Sequence, residues 1–320
     1  KQIKMKKIGL FIETKEGNIK PAVFGMITAA RQNNIELVAF LINENANTHQ
    51  GKLQEFGIKT IVPIQIKNSN NLYHPVHWAK SLITAMKQWK INTLFGLTTA
   101  RGKTLLPLIA AELGAPLAMN CRSVNLETNC AEKALYSGKT IAKLKLKGTH
   151  FIYGMGQNIV EPKSAPCRTN INPFEYSPAE IKNYRYIEEI PGEHDGSDLS
   201  EAEVIVSGGR GLANKENFNI LSDCARAMRA SVGASRAAVD NGWAPYSMQV
   251  GQTGFKVSPK LYFAIGLSGS IQHFAGMKTS KLIIAINIDP KAAIVANCDY
   301  FIIEDLFDIV PLLTKKLRRL

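Results

Sequence analysis

Nothing in these 320 residues approaches the run of about 18 apolar residues that crosses a bilayer, so no membrane insertion is expected. The start, KQIKMKKIGLFIE, is basic, but its apolar segment is only Ile8–Ile12 with Gly9 inside it, too short for the core of a secretory signal. Met5 is read as the native start, with residues 1–4 as additions ahead of it, and the setting as cytoplasmic and bacterial in type. Cysteine is scarce: Cys121, Cys130, Cys167, Cys224 and Cys298, with no CxxC pair. An odd, scattered set argues against a disulfide framework and a Cys/His zinc site. Among six histidines only His74 and His77 stand close, and further ligands are lacking beside them, so no metal is expected. Also missing is a grouped acid, base and nucleophile, so the chain is not expected to turn over a substrate of its own.

Positive charge, by contrast, is in excess. The formal net charge is +13, which raises the question of an acidic partner. Residues 203–320 carry 14 basic against 9 acidic side chains, a net of +5, and the remaining +8 lies in residues 1–202. The excess is spread out. Its one local run, Lys143-Leu144-Lys145-Leu146-Lys147, alternates basic and apolar like a strand with one solvated face. Without exposed aromatics or a recognised motif beside it, no nucleic acid is expected to bind.

Apolar content of 45% is that of an ordinary globular chain, and the length accommodates two domains. In the first half, Lys6–Ile12, Glu36–Leu41, Thr60–Pro63 and Asn92–Leu97 read as buried strands. Helical periodicity covers Pro21–Gln32, Trp78–Trp89 and Gly102–Leu113, with Pro21 suited to a first turn and Gly114 and Pro116 as stop signals. Strands alternating with helices predict a parallel sheet covered on both faces. From Ala118 to Met155 the pattern turns to strands alone, a β excursion near 118–155. Thr98, Thr99 and Arg101 follow a strand, and read as a helix cap with a surface arginine rather than as an anion site. Tyr186–Leu199 contains Pro191-Gly192 and acidic, Ser- and Gly-containing sequence, the composition of a connector. The expected organisation is an N-terminal α/β domain at 1–190, a linker at 191–202 and a C-terminal domain at 203–320.

The second half is marked by polar turns after strands. Ala202–Val206 leads to Ser207-Gly208-Gly209-Arg210-Gly211, then to a helix with Phe218, Leu221, Ala225, Met228 and Val232 on one face. The short strand Ala230–Gly233 leads to Ser235-Arg236 and to Asp240-Asn241-Gly242, with Trp243 read as packing. Gln249 to Gly254 carries two glycines around a hydroxyl. The strand Leu261–Ile265 leads to Gly266-Leu267-Ser268-Gly269-Ser270 and a helix from about Ile271. That last turn aims backbone N–H groups and a helix dipole at one spot suited to a phosphate, with Gln272 and His273 beside it. Asn287 closes Leu282–Ile286, and Asp305-Leu306 follow Tyr300–Ile303. In a parallel sheet such turns gather at the carboxyl edge, where ligands bind. GGRG lacks the GxGxxG spacing, and no acidic residue follows about 20 positions on, so a simple NAD fingerprint is absent.

SGGRGL (207–212), GASRAAVDNGW (233–243), QVGQTG (249–254) and LSGSIQH (267–273), in this order, resemble the C-terminal signature of the electron transfer flavoprotein alpha subunit from about Val206 to Leu313. FGLTTARGKTLLPLIAAELGAPLAMNC (95–121) resembles the same family's first domain, while THFIYGMG (149–156) replaces its Arg-Pro type ending and Phe255 stands where the family commonly has Lys. The resemblance implies two α/β domains, each a mostly parallel sheet flanked by helices. The second would be Rossmann-like, of the DHS type, and would bind FAD. It implies FAD contacts from Arg210, Ser235, Arg236, Val250, Gly251, Gln252, Thr253, Ser268, Gly269, Ser270, Ile271, Gln272, His273, Asn287, Asp305 and Leu306. Within that set Ser235, Arg236 and Thr253 lie against the flavin ring, and His273 at its pyrimidine edge.

The implied role is an electron carrier in fatty-acid β-oxidation. It would pair with a beta subunit, take single electrons from flavin dehydrogenases such as acyl-CoA dehydrogenases, and pass them to a quinone reductase or similar acceptor. Any second nucleotide would belong to the beta subunit. Arg236, Thr253 and His273 would tune the flavin, with Arg236 and His273 supplying positive charge. A unit charge about 4 Å away in a medium of dielectric near 20 is worth roughly 4 kcal/mol, roughly 170 mV for one electron. The alternatives are a bifurcating member of the same family, an NAD- or thiamine-linked enzyme, and a nucleotide-binding module without redox chemistry.

Overall fold

The computed structural model of the chain describes residues 6–32, 35–67, 73–136, 140–179, 187–188 and 199–319. The described residues divide into two compact units, one holding 6–135 with 140–188 and the other 199–319. Pro191-Gly192 lies outside the described residues, whereas Leu199 and Ala202, at the end of the expected linker, pack into the second unit's core.

The first unit begins with β1 (Lys6–Phe11), a short hairpin of β2 (Thr14–Lys15) and β3 (Asn18–Ile19), and α1 (Pro21–Ala30). It continues with β4 (Ile35–Ile42), α2 (Ala46–Glu55), β5 (Thr60–Ile66), α3 (Pro75–Gln88), β6 (Thr93–Leu97) and α4 (Ala100–Leu113). The strands β7 (Leu117–Asn125), β8 (Cys130–Leu135), β9 (Thr140–Lys145), β10 (Phe151–Met155), β11 (Asn170–Ile171) and β12 (Phe174–Tyr176) complete it. They form one sheet in the order β11-β5-β4-β1-β6-β10-β7-β8-β9, with β12 also on β5. All pairs are parallel except β7–β8 and β8–β9.

The continuous apolar runs follow from burial on two faces, as parallel strands require. Leu37, Ala39 and Leu41 of β4 face one core with Val23, Met26 and Ile27 of α1 and Leu53 of α2. Val38, Phe40 and Ile42 face the other with Trp78, Leu82 and Met86 of α3 and Leu105, Leu106 and Ile109 of α4. The hydrophilic segment ANTHQGKLQE forms α2, which periodicity does not announce; Asn45 caps it by accepting from the Asn47 N–H, and it buries little beyond Ala46, His49 and Leu53. Pro63 sits inside β5 without breaking it. Ile64 and Ile66 turn their backbone polar groups toward Asn43 on the β4 side, so Pro63 faces the opposite edge. There β11 pairs Thr60 and Ile61, and β12 resumes at Ile64, so the missing N–H leaves no ladder bond open. The lysines of β9, Lys143 and Lys145, are exposed while Leu144 packs inward, which is the solvated face that the alternation predicts.

Strand order reverses between β1 and β6, the place where sheets of this kind hold ligands. Here the chain fills it. Glu13 follows β1, is wholly buried, and accepts from Thr99 Oγ1 at 2.7 and 2.9 Å. The Lys20 ammonium lies 3.3 Å away. Thr99 Oγ1 in turn accepts from the Gly102 N–H and caps α4, and Thr98 Oγ1 accepts from the Asn120 N–H. The Arg101 guanidinium stands over the rings of Trp78 and Tyr73, at 5.0 and 5.4 Å. Thr99 is thus the cap that its sequence context predicts, whereas Arg101, expected as a surface arginine, is half-buried and stacked on two rings.

The second unit holds β13 (Val204–Gly208), α5 (Phe218–Met228), β14 (Ser231–Ala234), α6 (Arg236–Asp240), β15 (Leu261–Ile265), α7 (Ile271–Met277), β16 (Leu282–Asn287), β17 (Tyr300–Ile303) and α8 (Leu306–Leu317). Its sheet is parallel throughout, in the order β14-β13-β15-β16-β17. Val206, Phe263, Ile265 and Ile286 pack beneath α5 and α8. Ile205, Tyr262, Ala264 and Ile283 face the opposite layer, which includes Met277 of α7. Val232 corrects the expected helix face. Arg229 turns left-handed and ends α5, so Val232 lies in β14. Among the described residues no helix is long and apolar enough to cross a membrane.

Burial pushes the Glu13 carboxyl above its ordinary value of 4.5, against the smaller pull of Lys20 and Thr99. A carboxyl raised on folding contributes fully at low pH, and that contribution is lost as pH rises through the folded value. Glu13→Gln is therefore expected to cost the first unit little stability at neutral pH, and to flatten its decline as pH rises above 4.5. Urea unfolding at acidic and neutral pH measures this. A wild-type chain that instead gains on the variant with rising pH would give the Lys20 attraction the larger share.

Candidate functional site

At the carboxyl edge of the second sheet lies a groove of about 790 Å³, lined by the turns after β13, β14, β15 and β16, the 249–254 loop and the start of α8. Strand order again reverses, between β13 and β15, and the two turns flanking the reversal touch through backbone. The Gly209 N–H donates to the Ile265 carbonyl and the Gly211 N–H to the Gly266 carbonyl, both at 3.1 Å. A Cβ on Gly209 would stand 2.5 Å from the Gly266 oxygen, and one on Gly211 2.8 Å from the Gly266 Cα. Only glycine permits that approach, and it leaves Arg210 at the groove.

The 266–270 turn is clamped from behind. Asn287 Nδ2 donates to the Leu267 carbonyl at 2.8 Å, and the Ile294 N–H to the Ser268 carbonyl at 3.2 Å. Gly269 has a φ of +74°, and a Cβ there would meet the Ile294 backbone. Ser270 caps α7 by accepting from the His273 N–H at 3.3 Å. Across the groove Ser235 caps α6, and Arg236 pairs with Asp240 at 3.3 Å, both side chains well exposed. Asp305 caps α8, its Oδ1 accepting from the Phe307 N–H.

The 249–254 loop closes on itself. The buried Gln249 donates through Nε2 to Thr253 Oγ1 at 3.1 Å, and the Tyr246 hydroxyl to the Thr253 carbonyl at 2.7 Å. The Phe255 N–H reaches the Gln249 carbonyl, and the Gln252 N–H reaches the Gln272 carbonyl at the start of α7. Phe255 is half-buried and packs into the core beneath the loop, where a lysine's charge would be unwelcome.

Arg210, Ser235, Arg236, Val250 to Thr253, Ser268 to Ser270, Gln272, His273, Asn287, Asp305 and Leu306 all line this groove. Ile271 does not. As the first residue of α7 it turns its side chain to solvent, 76% exposed. His273 is in place, but without the positive charge expected of it. It is buried, its Nε2 lies 2.9 Å from the Tyr262 hydroxyl, and burial lowers its pKa to about 4. It is neutral at pH 7, so the fixed cations of the lining are Arg210 and Arg236, against Asp240, Asp289 and Asp305. The exposure of Arg236 moves its effect toward the weak, water-like limit. Trp243 packs against the α5–α8 core, as expected. Asp289, Ala292 and Phe307 also line the groove. Asp289 directly precedes a proline, a turn signal just past a strand end that sequence reasoning had available.

Comparison with known proteins finds two family matches. Residues 8–179 match the family described as "Electron transfer flavoprotein domain", and residues 198–278 the "Electron transfer flavoprotein FAD-binding domain". The chain is 33% identical to the "Electron transfer flavoprotein subunit alpha" of Bacillus subtilis, over 98% of each. It is 35% identical to the "Probable electron transfer flavoprotein subunit alpha, mitochondrial" of Caenorhabditis elegans, over 95% of this chain and 92% of that one. It is 39% identical to the Paracoccus denitrificans protein described as the same subunit, over 68% and 70%.

Gly269→Ala is expected to destabilise the second unit by about 2–4 kcal/mol, from a left-handed backbone and a backbone clash together. Denaturant unfolding of the variant measures the loss, and an effect below about 0.5 kcal/mol would mean that the turn relaxes freely.

Proposed function

The chain belongs to the electron transfer flavoprotein family as an alpha subunit, and from that membership we propose that its second unit binds FAD in this groove and carries single electrons. The observation that bears most weight is convergence: residues far apart in sequence, from Arg210 to Leu306, line one cavity of cofactor size. The donor set suits a dinucleotide. Backbone N–H groups and small side chains at Ser268–Ser270, with Arg210 opposite, fit a diphosphate. Ser235, Arg236 and Val250–Thr253 fit an isoalloxazine ring, and Gln272 and His273 its pyrimidine edge. Asn287, Asp305 and Leu306 fit the adenosine, where an amide or carboxylate holds ribose hydroxyls or the base. Several of these side chains brace the turns as well. Asp305 keeps a second oxygen, and Arg210 has no partner among the described ion pairs. Bound FAD supplies electron uptake and release in one-electron steps; the chain holds it, orients it and sets the local charge.

Among the groove's lining residues apolar Ile288 is exposed, and so are Ile271, between the lining residues Ser270 and Gln272, and Tyr246, three residues before Gln249. Side chains of this kind on the open side suit a second protein surface, and in our reading that surface is a beta subunit. The donors in this reading are flavin dehydrogenases such as acyl-CoA dehydrogenases, and the acceptor is a quinone reductase or a similar protein.

The test is purification of the chain together with its beta subunit, followed by an anaerobic reductive titration. A flavin spectrum that changes in two separable one-electron stages supports the carrier. No flavin retained with both subunits present would overturn it. At contact distance in water-like surroundings one charge is worth about 1 kcal/mol, roughly 45 mV for a single electron. Arg236→Ala is therefore expected to lower the first-electron potential by tens of millivolts with FAD occupancy kept. An unchanged potential means that Arg236 does not supply the charge that sets the flavin.

A further inference from the structure

Behind His273 stands a tyrosine that no motif singles out. Tyr262, the second residue of β15, is wholly buried among Ile205, Val250, Ala264, Met277 and Ile283. A hydroxyl in such surroundings is costly unless it is hydrogen-bonded. A phenylalanine would fill the same space without that cost. The hydroxyl's partner is His273 Nε2, at 2.9 Å.

The direction of that bond follows from the groups around it. Burial pushes the phenol pKa far up, so Tyr262 keeps its proton. Burial also keeps the imidazole neutral, so the ring has one N–H to place. The Val250 carbonyl lies near enough to favour a protonated ring nitrogen. With Nε2 turned to Tyr262, that nitrogen is Nδ1, which is buried and makes no hydrogen bond. Ser207 Oγ, on β13 beside the phenol, reaches no partner with full hydrogen-bond geometry, yet stands close enough to lower the phenol's pKa against the larger effect of burial. The groove's charged groups, Arg210, Arg236, Asp240, Asp289 and Asp305, do not figure among the causes of the His273 shift, in which burial dominates.

We propose that Tyr262 is a positioning residue: its O–H donates to Nε2 and fixes His273 as the neutral Nδ1–H tautomer, with that N–H held inside beside the Val250 carbonyl, so the ring meets the groove without a fixed charge. The tautomer stands on the Tyr262–His273 pair alone. What the uncharged ring faces rests on the FAD reading, in which it is the pyrimidine edge of the flavin. A neutral ring leaves the groove's attraction for anions to Arg210 and Arg236.

The tautomer is measurable directly. The full chain is labelled with ¹⁵N-histidine, and the His273 signals are assigned by their loss in His273→Gln. Wild-type protein is expected to show the Nδ1-protonated form, unchanged from about pH 5 to 8. Tyr262→Phe, which removes only the hydroxyl, is expected to bring in the Nε2-protonated form. An Nε2-protonated ring in the wild type, with Tyr262 donating to Ser207 instead, overturns the proposal, as does a tautomer unmoved by Tyr262→Phe. The wild-type spectrum decides the matter even if the variant fails to fold. An Nδ1–H ring in a chain that never takes up FAD upholds the tautomer and counts against the FAD reading.

Discussion

Two backbone hydrogen bonds, from Gly209 to the Ile265 carbonyl and from Gly211 to the Gly266 carbonyl, are the contact on which the second unit's groove depends. They tie together the turns on either side of the strand-order reversal. With them the turns after β13 and β15 form one continuous floor, and the rest is fitted to that floor. Leu306 packs on Gly266 from below, at 2.8 Å from where its Cβ would be. Asn287 and Ile294 hold the turn's carbonyls, and Ser270 starts α7 at the angle that brings His273 over Tyr262. A side chain at either contact glycine would part the two turns, and each of those dependent contacts would move with them.

Much of this was legible because glycine and strand patterns are local signals. Each polar turn after an apolar run marked a carboxyl end, and parallel pairing carries such ends to one edge whatever the intervening chain does. That is why residues from Arg210 to Asp305 could be grouped before any contact was known. The end of α4 was equally plain, since Gly114 adopts the left-handed conformation that its type predicts. The alternation of β9 likewise announced which lysines stay in water.

What escaped the sequence depends on partners remote along the chain. Helix α2 offers almost no apolar stripe, and it is held by its Asn45 cap and by the surfaces that receive Ala46 and Leu53. Glu13 looks like any polar residue after a strand until Thr99 and Lys20 arrive beside it. The neutrality of His273 is of the same kind. A histidine in a polar motif reads as a cation, but its depth keeps it neutral, and its ring meets a tyrosine eleven positions earlier on a neighbouring element. Ile271 shows the reverse. The turn around it was rightly placed, yet the side chain of a helix's first residue points away from the groove that its neighbours line.

The two units put one piece of architecture to opposite uses. In each, strand order reverses at the middle of a parallel sheet, and a helix capped by a hydroxyl begins beside the reversal: α4 on Thr99 in the first, α7 on Ser270 in the second. In the first unit the space beside the cap is filled by the chain's own Glu13 carboxylate, neutralised by Lys20 and sealed from water. In the second, the corresponding strand is followed by Gly209-Arg210-Gly211, which brings no acid, keeps the backbone low and leaves a cation at the opening. An internal carboxylate and an outside phosphate are alternative occupants of the same electrostatic position. One residue after the first strand, acidic in one unit and absent in the other, therefore separates a unit that fills this position itself from one that leaves it open.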